Sequence, residues 1–273
     1  MDRYLEQGAR LNVFSSVIAN RALLVSFIAR DLKGRYVGSA MGVYWNIINP
    51  LVLVAVYTFV FAYVMKAKVP PGNGTDNFAV YIFCGLLPWI AFQEATLRNS
   101  TVIIDNANLV KKVNFPTEIL VIYVTLASFI HELIALGLLF LLLLLLGAFP
   151  GGNALFLVAV FMGQLLLTLG FSFLFSSLTV YIRDVAHLLN SAMLVLFFAT
   201  PIMYPLAIVP EGARALMGLN PVTQLVEMYR ALILGDRLHS FRGTAYFFGV
   251  AVAVFILGSY VFGKTKGEFA DLI

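Results

Sequence analysis

His131 and Glu132 sit side by side in the middle of a run, 119–146, that holds no other Asp, Glu, Lys or Arg. An ionisable pair at such a depth in an apolar segment is a functional candidate by default, and proton relay is the chemistry it offers. No partner carboxylate on another apolar run supports that chemistry, so a structural or packing role is favoured and the relay stays open beside it. A second group ends in Lys111 and Lys112, after Asn106, Asn108 and Leu109. A short helix capped by Asp105 or Asn106 fits there, with cations in its last turn where the helix dipole favours them. A rigid helix between two membrane spans is what a soluble motor pushes on, and the same lysines also serve as topology anchors. No G-x-x-x-x-G-K-[ST] loop is present, so ATP is not held here in the usual way. No paired Cys or His set offers a metal site, and the single Cys84 reads as a small core residue.

The elements that must carry these groups are membrane helices. The 273 residues are 61% hydrophobic and 12% charged, against roughly half apolar and about a quarter charged in soluble domains. Too few polar residues exist to cover the outside of a soluble fold. The stretches 36–65, 77–93, 133–182, 188–210 and 243–263 contain no Asp, Glu, Lys or Arg, and about 20 such residues cross the hydrocarbon core. Six spans result, at about 41–65, 78–97, 117–146, 154–181, 187–205 and 244–263. Pro50 and Pro88 predict bends in the first two, and the Gly- and Pro-rich turn 147–153 separates the third from the fourth.

Before the spans, Leu11, Phe14, Ile18, Val25, Ile28 and Leu32 recur at helical spacing among Arg10, Asn20, Arg21 and Arg30. This predicts an amphipathic helix in the headgroup region. Between the last two spans, Pro205, Pro210 and Pro221 divide an apolar segment too short for two further crossings. Its pieces, 213–219 and 222–234, read as re-entrant half-helices packed in protein. The layout is an all-α integral membrane fold. Residues 1–40 form the N-terminus with its interfacial helix, 41–265 the transmembrane domain, and 266–273 a tail. Within the domain lie a loop at 97–116 and an outer segment at 206–243. With six spans, twelve Lys and Arg fall on the side of both termini and six on the other, which predicts cytoplasmic termini. No cleavable signal peptide is visible in the polar stretch 1–10.

Several local sequences in order add a resemblance. They are Asp31-Leu32-Lys33-Gly34-Arg35-Tyr36, Ser39-Ala40-Met41-Gly42 with Trp45 and Asn49-Pro50-Leu51, and Gly85-Leu86-Leu87-Pro88-Trp89. Further on come Leu109-Val110-Lys111-Lys112-Val113-Asn114-Phe115-Pro116, Arg183-Asp184, Thr200-Pro201-Ile202-Met203-Tyr204-Pro205 and Leu219-Asn220-Pro221. Together they resemble ABC-2-type permeases that export cell-surface polysaccharide, among them O-antigen, capsule and teichoic-acid exporters. The resemblance implies a permease of the bacterial inner membrane that works with a second copy of itself and two ATP-binding-cassette subunits. ATP and Mg would sit on those subunits, with no cofactor in this chain, and the cargo would be polysaccharide on undecaprenyl pyrophosphate.

It also implies that the N-terminal helix and the 98–116 loop meet the ATPase, through Arg98, Asn106, Asn108, Leu109, Lys111 and Lys112. The half-helices would form an outer gate, with Tyr204, Pro210, Asn220 and Pro221 in it. A sugar polymer has apolar ring faces, and Tyr44, Trp45, Tyr57 and Phe61 of the first span suit such a passage, although interfacial anchoring explains some of them equally. Lys33 and Arg35 stand where a pyrophosphate head could be met by charge-assisted hydrogen bonds, or where they anchor topology. Alternatives are a small-molecule or drug efflux permease on the same plan, a membrane transferase, and a proton-driven carrier. The transferase lacks a convergent acidic or His cluster, and the carrier rests on His131 and Glu132 alone.

Overall fold

A computed structural model describes residues 18–34, 41–66, 69, 75–112, 115–147, 152–235 and 239–273, with no strand among them. Helix α1 spans Arg21–Gly34, and α2 spans Trp45–Tyr57 and continues as a π-helix over Thr58–Val64. Then come α3 (Phe78–Asp105), the single turn α4 (Ala107–Val110), α5 (Glu118–Leu145) and α6 (Leu157–Tyr181). The rest is α7 (Asp184–Ala199), α8 (Glu211–Gly218), α9 (Pro221–Leu234), α10 (Phe241–Thr265) and α11 (Phe269–Leu272). Helices α3, α5, α6 and α10 are long and apolar enough to cross a membrane. Helix α7 has 16 residues, about 24 Å at the usual rise and short of a roughly 30 Å core. It stops at Ala199, before Thr200-Pro201, rather than running to 205, because proline disfavours helix in the residue before it.

Helix α3 is the centre of the bundle. It packs on α5, α6, α7 and α9, and its side chains are buried on every face over most of its length. An apolar helix of this kind belongs inside a protein. Asn77 starts it, accepting from the amides of Ala79 at 3.0 Å and Val80 at 3.4 Å. The helix continues unbroken through Pro88. It also continues eight residues past the expected end at 97, through Arg98-Asn99-Ser100-Thr101. The reason is that each of these polar side chains finds a partner. Asn99 donates to Thr125 at 2.9 Å and to Ser172 at 3.0 Å, Ser100 to the Leu97 carbonyl at 2.7 Å, and Thr101 to Asp105 at 2.7 Å. A buried polar group that is hydrogen-bonded no longer forces the chain out to water.

Two apolar clusters hold the bundle. The larger joins the first half of α3 to α9, α5 and α10, with Ile82, Trp89, Leu225 and Phe247 nearly or wholly buried. The smaller joins the other end, with Leu24, Val110, Ile119, Phe173, Phe262 and Phe269. Between α6 and α10 the backbones touch. A Cβ on Gly258 would run into the Gly170 carbonyl, and one on Gly170 would come within 2.6 Å of the backbone at Val254 and Phe255. Small residues that let helices approach this closely are the usual basis of helix packing in lipid.

The C-terminal residues are not a free tail. Phe269 is fully buried against Phe262, with ring centroids 5.4 Å apart. Glu268 accepts from the Tyr181 hydroxyl at 2.6 Å, and Lys266 reaches Glu118 at 3.6 Å. Helix α11 therefore braces α4 and the end of α6.

Candidate functional site

Three places gather the chemistry. The first is at the α4 end. Helix α1 lies on α5, with the Phe27 ring stacked on Tyr123 at 5.2 Å and edge-on to Phe115 at 6.4 Å. The Arg98 guanidinium from α3 forks onto both carboxylate oxygens of Asp31 in α1 and also reaches Glu94 at 3.4 Å. Ser128 of α5 donates to the same Glu94 at 3.2 Å. The clamp ties α1 to α3, with Arg98 partly exposed and Asp31 more deeply covered, and Asp31 gains a structural reason. Beside it opens a cavity of about 370 Å³ lined by Phe27, Arg30, Asp31, Gly34, Asn106 and Tyr123.

Neither expected cap of α4 acts as one. Asp105 takes the Thr101 hydroxyl, and Asn106 donates back to the Val102 carbonyl at 2.8 Å, because both have nearer partners on α3. Asn108, Lys111 and Lys112 are exposed, Leu109 is half-buried against the smaller apolar cluster, and Val110 is buried. The lysines follow α4 rather than ending it. A bidentate pair with Asp31 half-buried should couple measurably. In a double-mutant cycle with Asp31→Asn and Arg98→Gln, thermal or denaturant unfolding should give an interaction of about 1–2 kcal/mol. Additive effects would show that α1 is held by its apolar face alone.

The second place is the face of α3 between α2 and α7. Tyr57, Trp89, Gln93, Asn190 and Phe197 surround a groove of about 430 Å³. Trp89 donates its indole N–H to Gln93 at 2.8 Å, and its ring lies 5.7 Å from Phe197. Tyr57 stacks on Phe61 at 6.0 Å, and Phe61 leans on Phe78 at 5.4 Å. The structure thus brings Tyr57 and Phe61 together, while Tyr44 is 73% exposed. Trp45 lines a different pocket of about 240 Å³ between α2, α3 and α5, along with Asn49, Glu94, Ser128, His131 and Glu132. Lys33 is exposed at the end of α1, and Arg35 lies outside the described residues.

The third place is the far end, where α8 and α9 fall close to the two half-helices read from the prolines. Asn220 caps α9, accepting from the Val222 amide at 2.9 Å, and donates to the Thr200 hydroxyl at 2.9 Å. Pro221 takes the first helical position, where a missing N–H costs nothing. Pro210 stands just before α8, and Tyr204 donates to the Phe198 carbonyl at 2.6 Å.

The hub of this end is a residue that sequence reasoning counted only as one cation among others. Arg230 is 4% exposed. It donates to the carbonyls of Pro201 at 2.7 Å, Ile202 at 2.6 Å and Tyr81 at 3.3 Å, and to Glu227 at 2.8 Å. It also lies 3.9 Å over the Tyr81 ring. Gly85 makes room for it, since a Cβ there would meet Val226 at 2.8 Å and Arg230 at 3.1 Å. The Gly85 and Pro201-Ile202 sequences, far apart in the chain, therefore meet around one guanidinium, and Asn220 ties in beside them through Thr200. Arg230 with Glu227 three residues before it, the two charges in the stretch 222–234, was the signal for it.

A second group passed over by sequence is Gln164, on α6, with Tyr229, on α9. Both contact Glu132, which is buried.

The profile of the ABC-2 type transporter family matches residues 22–234. An O-antigen export system permease protein RfbA of Myxococcus xanthus is 32% identical, over 93% of this chain and 96% of that protein. Its namesake in Klebsiella pneumoniae is 29% identical over 92% and 95%. The polysialic acid transport protein KpsM of Escherichia coli is 22% identical over 75% and 78%.

Proposed function

The chain belongs to the ABC-2 type transporter family, and from that premise we propose that it is the permease subunit of an ATP-driven exporter of lipid-linked polysaccharide, with O-antigen as the cargo. It is a transport subunit and a multi-pass membrane protein. The observation that carries the cargo assignment is coverage: two permeases named for O-antigen export align with 92–93% of the chain. The family match takes in most of α1, all of α4 and the α8–α9 pair together.

In this reading two copies form the passage in the bacterial inner membrane, with six crossings each and both termini cytoplasmic. Helices α2 and α7 supply the two shorter crossings, and α8 and α9 enter the outer leaflet and return. Two ATP-binding-cassette subunits carry the ATP and Mg and dock at the cytoplasmic end, against α1 and α4. Their closure moves α1, and the Asp31–Arg98 clamp passes that movement to the central helix α3. The groove with Tyr57, Trp89 and Phe197 faces the passage, its rings suited to sugar faces and its Gln93 and Asn190 to hydroxyls. Lys33 meets the pyrophosphate at the inner leaflet.

Deleting the gene in its host tests the reading. Surface polysaccharide should disappear and lipid-linked polymer should accumulate on the cytoplasmic side, with recovery from a plasmid copy. Normal surface polymer in the deletion strain would overturn it. The coupling role of α4 has its own test in Asn108→Asp, because Asn108 is exposed and its loss disturbs no packing. A carboxylate buried against the partner should weaken docking about tenfold, near 1.4 kcal/mol. Permease-dependent ATPase activity and export should fall together while the amount of permease in the membrane stays unchanged. Full export by this variant would remove α4 from the coupling surface.

A further inference from the structure

Glu132, Gln164 and Tyr229 form a closed ring of three contacts inside the bundle, drawn from α5, α6 and α9. The Gln164 amide nitrogen lies 2.8 Å from Glu132 Oε2, the Tyr229 oxygen 2.9 Å from Glu132 Oε1, and the Tyr229 oxygen 2.5 Å from Gln164 Oε1. Each contact needs one hydrogen between its two heavy atoms. Gln164 supplies one, from its NH2 group, and the Tyr229 hydroxyl has one to give. The third can come only from the carboxyl group.

Turning the Gln164 amide over does not remove the need. Its nitrogen would then donate to Tyr229, Tyr229 would donate to Glu132, and two oxygens would face each other at the third contact unless Glu132 carried a hydrogen. The orientation given is the better one, because Gln164 Nε2 also donates to the Pro88 carbonyl at 3.2 Å.

From this count we infer that Glu132 binds a proton in the folded protein, as a buried carboxylic acid whose O–H closes the clasp of α9 onto α5 and α6. The hydrogens then run one way round. Glu132 donates to the Tyr229 oxygen, Tyr229 to Gln164 Oε1, and Gln164 Nε2 to Glu132 Oε2. Loss of the proton leaves Tyr229 with two acceptors and one hydrogen, so one side of the ring opens. The side that opens is on α9, one residue from Arg230. The proton is thus a ligand that fastens the far-end helices to the bundle.

Among the described residues the groups facing Glu132 are few. Gln164 of α6 and the Pro88 carbonyl of α3 carry no charge, and α9 contributes the Tyr229 phenol. Across the 240 Å³ pocket stand Trp45 and Asn49 of α2 and, from α3, the Glu94 carboxylate, held by Arg98 and Ser128. His131 is the neighbour on α5 itself. Glu132→Gln separates the acid from these other titrating groups. The amide places an N–H where the O–H stood and completes the same ring without a proton to lose.

Infrared difference spectroscopy of wild type against E132Q, in lipid nanodiscs at neutral pH, reads the proton directly. The expected spectrum loses the C=O band of a protonated carboxyl and keeps its ionised-carboxylate bands. Loss of a carboxylate band instead overturns the inference. Unfolding followed against pH gives a second reading. The folded state holds one proton more than the unfolded state, so the unfolding constant should rise about tenfold per pH unit where free glutamate is ionised. In E132Q that contribution should vanish, and an unchanged slope would overturn the inference. Should the extra hydrogen of the amide keep E132Q from assembling, the acid band of Tyr229→Phe decides in its place, and an unshifted band there overturns the inference. Tyr229→Phe should keep the acid band and shift it towards that of a carboxyl without an acceptor.

Discussion

Gly258→Val should leave little folded protein in the membrane. The α6–α10 contact is made by backbone against backbone, and a side chain at Gly258 would occupy the space of the Gly170 carbonyl. No rotamer relieves that overlap, because the obstacle is the main chain of a buried helix. The two helices must separate along their length, and Phe247, Ala251 and Phe262, all nearly or wholly buried, lose their seats with them. Overpacking a core usually costs about 1–3 kcal/mol; here the Cβ alone supplies the clash, so Gly258→Ala should already reach that range and Val should exceed it. Size-exclusion recovery and thermal midpoint after detergent extraction would follow the order Gly, Ala, Val. The control is Gly249→Ala on the same helix, where a Cβ meets nothing within 4 Å. It should be neutral or gain about 0.5–1 kcal/mol from the higher helix propensity of alanine. Equal losses at Gly249 and Gly258 would show that α10 responds to helix propensity and not to its contact with α6.

The same glycines mark the limit of what the amino-acid order discloses. Long charge-free stretches give the helices, because lipid leaves a chain no other way to satisfy its backbone. Prolines give the breaks around α8 and α9 for the same local reason. What local rules miss is satisfaction at a distance. Arg98-Asn99-Ser100-Thr101 reads as the end of a helix, yet α3 runs through it, since Asp31, Thr125 and Ser172 wait on other helices to receive these side chains. His131-Glu132 reads as a pair, yet the partners of Glu132 are Gln164 and Tyr229, 32 and 97 residues away. Spacing along one helix carries no trace of them. Residue patterns place the short helix at 106–112 and the Pro-divided half-helices, the resemblance to known permeases adds the coupling and gate roles, and the packing supplies a reason for some of the residues: Asn220 as a cap, Pro221 as a first helical residue, Arg98 as a clamp.

Arg230→Met should loosen the far end more than any other single change there. The guanidinium satisfies the carbonyls of Pro201, Ile202 and Tyr81 at once and is itself matched by Glu227 and the Tyr81 ring. Methionine fills much of the space and supplies none of the hydrogens. Breaking a buried charge network by removing one partner costs about 3–5 kcal/mol, and part of that here is the cost of carbonyls left without donors. Lysine keeps the charge but not the planar fork, so Arg230→Lys should recover only a fraction of the stability. Asn220→Ala removes a cap and the bond to Thr200 and should cost about 1 kcal/mol, which sets the order of effects as Met, then Lys, then Ala at 220.

That order matters for export, because Arg230 and Asn220 both fasten the turn at 200–202 to α9. If α8 and α9 close the outer end of the passage, weakening the fastening should raise the leak of a small dye from proteoliposomes in proportion to the loss of stability. Wild-type leak in Arg230→Met, together with a lowered melting temperature, would make Arg230 a structural anchor away from the gate. Wild-type stability in the same variant would mean that the turn at 200–202 is held by its apolar packing, with Ile202 buried in the core, and that the guanidinium only follows it.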